Sequence, residues 1–136
     1  MLEMTVYGQV RGTPRPRVTT VGGHGRAYYP QWYYDRLKYY AREWWAQAGA
    51  CVEEGPVAVT IDIHRALPKS APKRVASAPD TVKPDVDNVA KLVLDALTGA
   101  AWADDRQVVS LRARKFPRER IPEEFVRVAV RRIEAV

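Results

Sequence analysis

Apolar and polar positions alternate most cleanly in "GPVAVTIDIHR" (55–65). Val57, Val59, Ile61 and Ile63 fall on one side, and Ala58, Thr60, Asp62 and His64 on the other. A period of two marks a strand with one buried face. The same period, less cleanly, predicts strands over "MTVYGQV" (4–10), "QVVSLRARK" (107–115) and "EFVRVAVRRIE" (124–134). Two segments carry the helical period instead. Over 30–50, Tyr33, Leu37, Tyr40, Trp44 and Ala48 recur at three- and four-residue spacing and form one stripe, with Pro30 suited to the start and Gly49 to the end. A second helix starts at Asp85 or Asp87 and runs to about Thr98. Val89, Leu92, Val93, Ala96 and Leu97 make its core face, and Gly99 is placed to end it. Two proline-rich basic stretches, 11–26 and 66–84, read as long loops. The order β-α-β-α-β-β predicts an α+β domain of mixed α/β layers, a single unit over 1–136 with a mixed sheet and two main helices.

Composition narrows the class of protein. A chain of 136 residues, 46% hydrophobic and with four tryptophans, has material for one core and little room for a second. No stretch approaches the roughly 20 apolar residues needed to span a bilayer, and "MLEMTVYGQVRG" lacks the apolar run of a secretory signal. The single cysteine, Cys51, allows neither an internal disulfide nor a cysteine-cluster metal site. These features point to a cytoplasmic protein with no membrane partner and no small-molecule cofactor. A formal net charge of +6 favours a polyanionic partner, nucleic acid before membrane.

Against that basic background, "KPDVDNVAKLVLDALTGAAWADD" (83–105) collects five aspartates. Asp85 and Asp87 stand two apart at the lead-in to the second helix, where both carboxylates can aim at one point. Asp87, Lys91 and Asp95 advance by four and share one side of that helix. Asp104 and Asp105 follow where the chain turns into the next strand, which could carry one of them back towards the first pair. Carboxylates without histidine or cysteine are hard oxygen ligands, suited to Mg²⁺ or Mn²⁺. The competing reading is local: aspartate is a favoured N-cap, acids suit a helix N-terminus, and Asp87 with Lys91 could be a solvated pair.

The wording of this segment goes further than its spacing. "KPDVDNVAKLVLDAL" followed by "WADDRQVV" resembles the RusA family of Holliday-junction resolvases, endodeoxyribonucleases common in phages and prophages. "YGQVRGTPRPR" resembles the family's N-terminal strand and basic loop. The likeness is strongest over 83–109 and weaker over 5–17. It implies that Asp85, Asp87 and Asp105 are metal-binding catalytic acids, with Asp104 the second member of its pair, and that Lys91 is the catalytic lysine. Asp95 also matches a recurrent family position, but it lies two turns from the metal end of the helix and is given a structural role. The likeness also implies Mg²⁺ dependence, with Mn²⁺ as a substitute, a homodimer, and paired nicks in branched DNA such as a four-way junction. A general branched-DNA nuclease and a non-catalytic phage DNA-binding accessory are the alternatives.

The remaining cations are read from their settings. Arg11, Arg15 and Arg17, spaced by prolines, are placed to meet phosphates, and Lys83 leads into Asp85. Lys69, Lys73 and Arg74 lie in the same long loop as Lys83, and either steer a strand or are merely solvated. Arg112, Arg114, Lys115, Arg118 and Arg120 read as surface charge first and DNA contact second. Trp44 and Trp45 read as core or interface packing rather than base stacking. His24, and the pair Asp62 and His64, receive no role.

Overall fold

The computed structural model describes residues 2–12, 31–48, 51–52 and 54–133. Strand β1 (Leu2–Tyr7) is followed by helix α1 (Gln31–Ala48), strand β2 (Val57–His64), the short strand β3 (Ser77–Ala78) and helix α2 (Val86–Leu97). A 3-10 turn (Asp105–Gln107) then leads into strand β4 (Val108–Lys115), the short strand β5 (Arg118–Glu119) and strand β6 (Phe125–Arg132). The four long strands form one mixed sheet in the order β1-β6-β2-β4, and β3 pairs with β5 apart from it. β6 runs antiparallel to both β1 and β2, whereas β2 and β4 are parallel. A parallel pair needs a crossover connection, and α2 supplies it. The expected α+β layering with two helices on a mixed sheet is therefore the observed one.

One face of the sheet makes the core. Val59, Ile61 and Ile63 of β2, which follow Val57 on the same face, lie in register with Val130, Val128 and Val126 of β6, and the last two meet Met4 and Val6 of β1. All of these are buried, together with Tyr33, Leu37 and Ala41 of α1 and the expected apolar stripe of α2. Burying one such Val, Leu or Ile is worth about 1.5–3 kcal/mol. The layer is therefore fastened by many small terms.

Three boundaries differ from the sequence expectation. β1 covers 2–7 rather than 4–10, because Gly8 takes a left-handed φ of 133° and bends the chain out of the sheet. In α1 the third buried position is Ala41, while Tyr40 is only half-buried; the side chains of Trp44, Trp45 and Ala48 lie outside the described residues. The 66–84 and 116–124 connections are tied together by β3 and β5, so neither is wholly irregular. Among the described residues no helix is long and apolar enough to cross a membrane.

Candidate active site

Asp85 is the N-cap of α2, in extended backbone conformation, and its side chain makes no capping hydrogen bond to the helix. The side chain therefore does not play the local capping role common for an N-cap aspartate. Asp87 lies in the first turn, exposed, where the positive end of the helix dipole favours an anion. Lys91 and Asp95 continue the same exposed row one and two turns on. Asp95 also contributes its carbonyl, which accepts a hydrogen bond from the Tyr34 hydroxyl at 3.3 Å and so links α2 to α1.

The turn after α2 is built around Trp102. Its indole is fully buried and donates to Thr98 Oγ1 at 3.1 Å, while Thr98 Oγ1 donates to the Leu94 carbonyl at 2.8 Å. Gly99, at a φ of 87°, lets the chain reverse there. Asp104 then caps the 3-10 turn: Oδ1 accepts from the Arg106 backbone N–H at 3.0 Å, and Oδ2 lies 3.3 Å from the Arg106 guanidinium. Gln107 closes the capping box by accepting from Asp104 N at 2.8 Å, and donates to the carbonyls of Val52 and Gly55. The backbone hydrogen bond from Arg106, more than Asp105 or the Arg106 charge, pulls the Asp104 carboxyl below its ordinary range. Both Asp104 oxygens are engaged inside this turn. Asp105, beside it, is exposed.

The two acidic groups do not meet within one chain. Lys115, at the end of β4, donates to the Val82 carbonyl at 2.6 Å, which fixes the approach to Asp85 beside that end of the strand. Asp105 stands just before Val108, at the other end of β4. The 12 residues of α2 separate the groups by about 18 Å of helix. Accordingly, among the described residues no three His, Cys, Asp or Glu side chains gather as a metal cluster. The expectation that the strand returns an acid to the first pair is corrected here. β4 is locked parallel to β2, so it carries the chain away from Asp104 and Asp105 towards the Asp85 end.

The basic residues flank the Asp85 end. Arg11 is exposed, hydrogen-bonded to Gln9 at 2.9 Å and set over the Trp32 ring at 5.7 Å. Gly12 passes so close to the start of α2 that an added Cβ would lie 3.0 Å from Pro84 Cβ and 3.1 Å from Asn88 Cβ. The Arg11 segment is thereby seated against the helix that carries Asp87. Lys83 is exposed two residues before Asp85. Arg15 and Arg17 lie outside the described residues.

A buried ionic clamp, unsuspected from the sequence, organises this end. Asp80 has a fully buried side chain whose Oδ1 contacts Arg65 at 3.0 Å and Lys115 at 3.3 Å. Arg65 also faces Glu124 at 3.9 Å. Glu124 accepts from Val10 N at 3.2 Å and Ala66 N at 2.9 Å, and its carbonyl accepts from Gly8 N at 2.9 Å. The chain leaving β1, the end of β2, the end of β4 and the loop before α2 are thus held by one network. No periodicity could reveal it, since its two acids sit in proline-rich connections.

A mixed α/β sheet that carries two carboxylates at a helix N-terminus with cations around them, and further acids one helix length along the chain, describes a class of protein by its fold and its charge. Comparison with known proteins gives that class a family. The profile of the endodeoxyribonuclease RusA family matches residues 8–130, and the chain belongs to that family. It is also 33% identical to the uncharacterized protein YqaN of Bacillus subtilis (strain 168), over 98% of each chain.

Proposed function

We propose that the protein is a divalent-metal-dependent, structure-selective endodeoxyribonuclease that resolves four-way DNA junctions by paired nicks. It works as a homodimer in which Asp85 and Asp87 of one subunit share a site with Asp105 of the partner subunit. The observation that carries this reading is the division of the family's acidic motif between the two ends of α2. A site needing all three acids is completed by a second copy, whose helix runs the opposite way.

The donor set fits a hard cation. Mg²⁺ is commonly held by one or two carboxylates, with water and phosphate oxygens filling its octahedron. Asp85 and Asp87 would supply such a pair, with Asp105 as the third acid and Asp104 kept to its capping role. When bound, Mg²⁺ or Mn²⁺ polarises a phosphoryl oxygen and helps ionise an attacking water. Lys91, a turn beyond Asp87, offsets the repulsion among the acids and stabilises negative charge developing on the scissile phosphate. Arg11 and Lys83 bind and orient the backbone leading to it.

The test is incubation with a synthetic four-way junction and with linear duplex, each with Mg²⁺ or with EDTA. Paired nicks in the junction alone, and only with Mg²⁺, are expected. Equal cutting of linear duplex would reduce the protein to a general nuclease.

A further inference from the structure

The face of the sheet turned away from α1 and α2 plays no part in that site. Register sets its side chains in rows across the strands. Arg131 lies beside Ala58 and Ser110; next come Ala129, Thr60 and Arg112; then Arg127, Asp62 and Arg114. The β2 positions in the middle are small at Ala58 and Thr60 and acidic at Asp62, and arginines flank them on the edge strand β4 and on β6, with β1 beyond. The result is a trough of about 710 Å³, lined by Arg112, Arg114 and Arg131 over a floor of alanine, serine and threonine.

The chemistry of the trough selects among occupants. A protein partner would want large apolar anchors on the floor, and the outward positions there are alanine, serine and threonine; Leu111, also in the lining, falls by register on the other face beside Val59. Stacked bases would want open ring faces at its end. There His64 is already sandwiched between Phe116 at 4.4 Å and Phe125 at 4.5 Å, and Arg114 covers Phe116 at 4.3 Å. What remains on offer is positive charge above a floor low enough for a backbone to approach. Arg127 is paired with Glu3 at 3.5 Å, but among the described residues neither Arg112 nor Arg131 has an ion-pair partner. Guanidinium groups on two sides of a trough suit phosphodiester oxygens, which they bind as paired donors without reading sequence.

We infer that this helix-free face is a second DNA surface, which holds the phosphate backbone of a duplex arm between Arg112 and Arg131. The inference rests on the reading of the chain as a DNA nuclease and adds to it a DNA grip on the opposite side of the sheet from α2.

The experiment measures junction affinity against salt concentration in EDTA, where cutting is suppressed. Removing one arginine–phosphate pairing should lower the log–log slope by about 0.9, so Arg112→Ala with Arg131→Ala should lower it by about 1.8. Affinity near physiological salt should drop on the order of tenfold or more. The Arg112→Lys, Arg131→Lys pair should restore most of the slope, and Arg42→Ala, on the exposed side of α1, should leave it unchanged. A slope equal to wild type in the alanine pair overturns the inference. So does a fall in dimer mass with the slope intact, which would make the trough a subunit contact. Wild-type protein that binds junctions but never cuts them would defeat the nuclease reading and leave this surface standing. Wild-type cutting with an unaltered slope in the alanine pair defeats the surface alone.

Discussion

Asp85, Asp87 and Asp105 share a charge but not a setting, and the settings decide what substitution does. Asp85 makes no capping hydrogen bond to its helix, whereas Asp104 is bound into the turn by Arg106. Asp85→Asn, Asp87→Asn and Asp105→Asn should each abolish nicking while preserving or tightening junction binding, because on the proposed reading each removes both a metal ligand and a negative charge near phosphate. Gel shift and cleavage on the same junction check this; near-normal cutting by any one of them removes that residue from the site. Lys91→Ala should lower turnover much more than affinity, since one cation among many adds little to binding. His64 offers a separate test by pH. Burial first, and then Arg127, hold its pKa below the usual 6.5, so the unfolded chain takes up a proton more readily than the folded one. The stability contributed by neutral His64 is complete above about pH 6.5 and is lost as pH falls through that value towards the lower folded pKa. Melting temperature should therefore decline on acidification. In His64→Phe, which keeps a ring in the stack, this part of the decline should vanish.

At the scale of elements, legibility follows periodicity. β2 and α2 are readable to within two residues because a strict two-residue or three-to-four-residue repeat spans each of them. β1 is not, because its end is set by a backbone bend at Gly8 that alternation does not register. The acids themselves are readable, but their separation is not. It follows from a rule of topology rather than from spacing: a helix and the strand that follows it after a tight turn run in opposite directions, so motifs flanking the helix fall at its two ends. The Asp80 clamp is invisible for a further reason, as its partners Arg65 and Lys115 come from distant parts of the sequence and meet only in the folded chain. Removing one member of a buried ionic network strands the others. Asp80→Ala should cost about 3–5 kcal/mol, read by denaturant melting. A loss below about 1 kcal/mol, the level of an exposed pair, would mean that the clamp does not secure the lead-in to α2.

For the whole molecule, the division of the acids makes a prediction that no single-chain site shares. If Asp85 and Asp87 work with Asp105 of the partner subunit, two dead variants should revive each other. In a dimer formed from Asp85→Asn/Asp87→Asn and Asp105→Asn subunits, one site collects every defect. The other combines intact Asp85 and Asp87 from one subunit with intact Asp105 of the partner subunit. Nicking should return in the mixture although each variant alone is inactive. The substrate that reads this best is a cruciform extruded by supercoiling, because a first nick relaxes the circle and removes the junction. A wild-type dimer, matched to the near two-fold symmetry of the junction, should cut twice before release and yield linear DNA. The mixed dimer, with one working site, should yield nicked circles instead. Continued inactivity of the mixture, once subunit exchange has been verified by mass, would show that each chain assembles its own acids. Linear product from the mixture would show that one site can make both cuts.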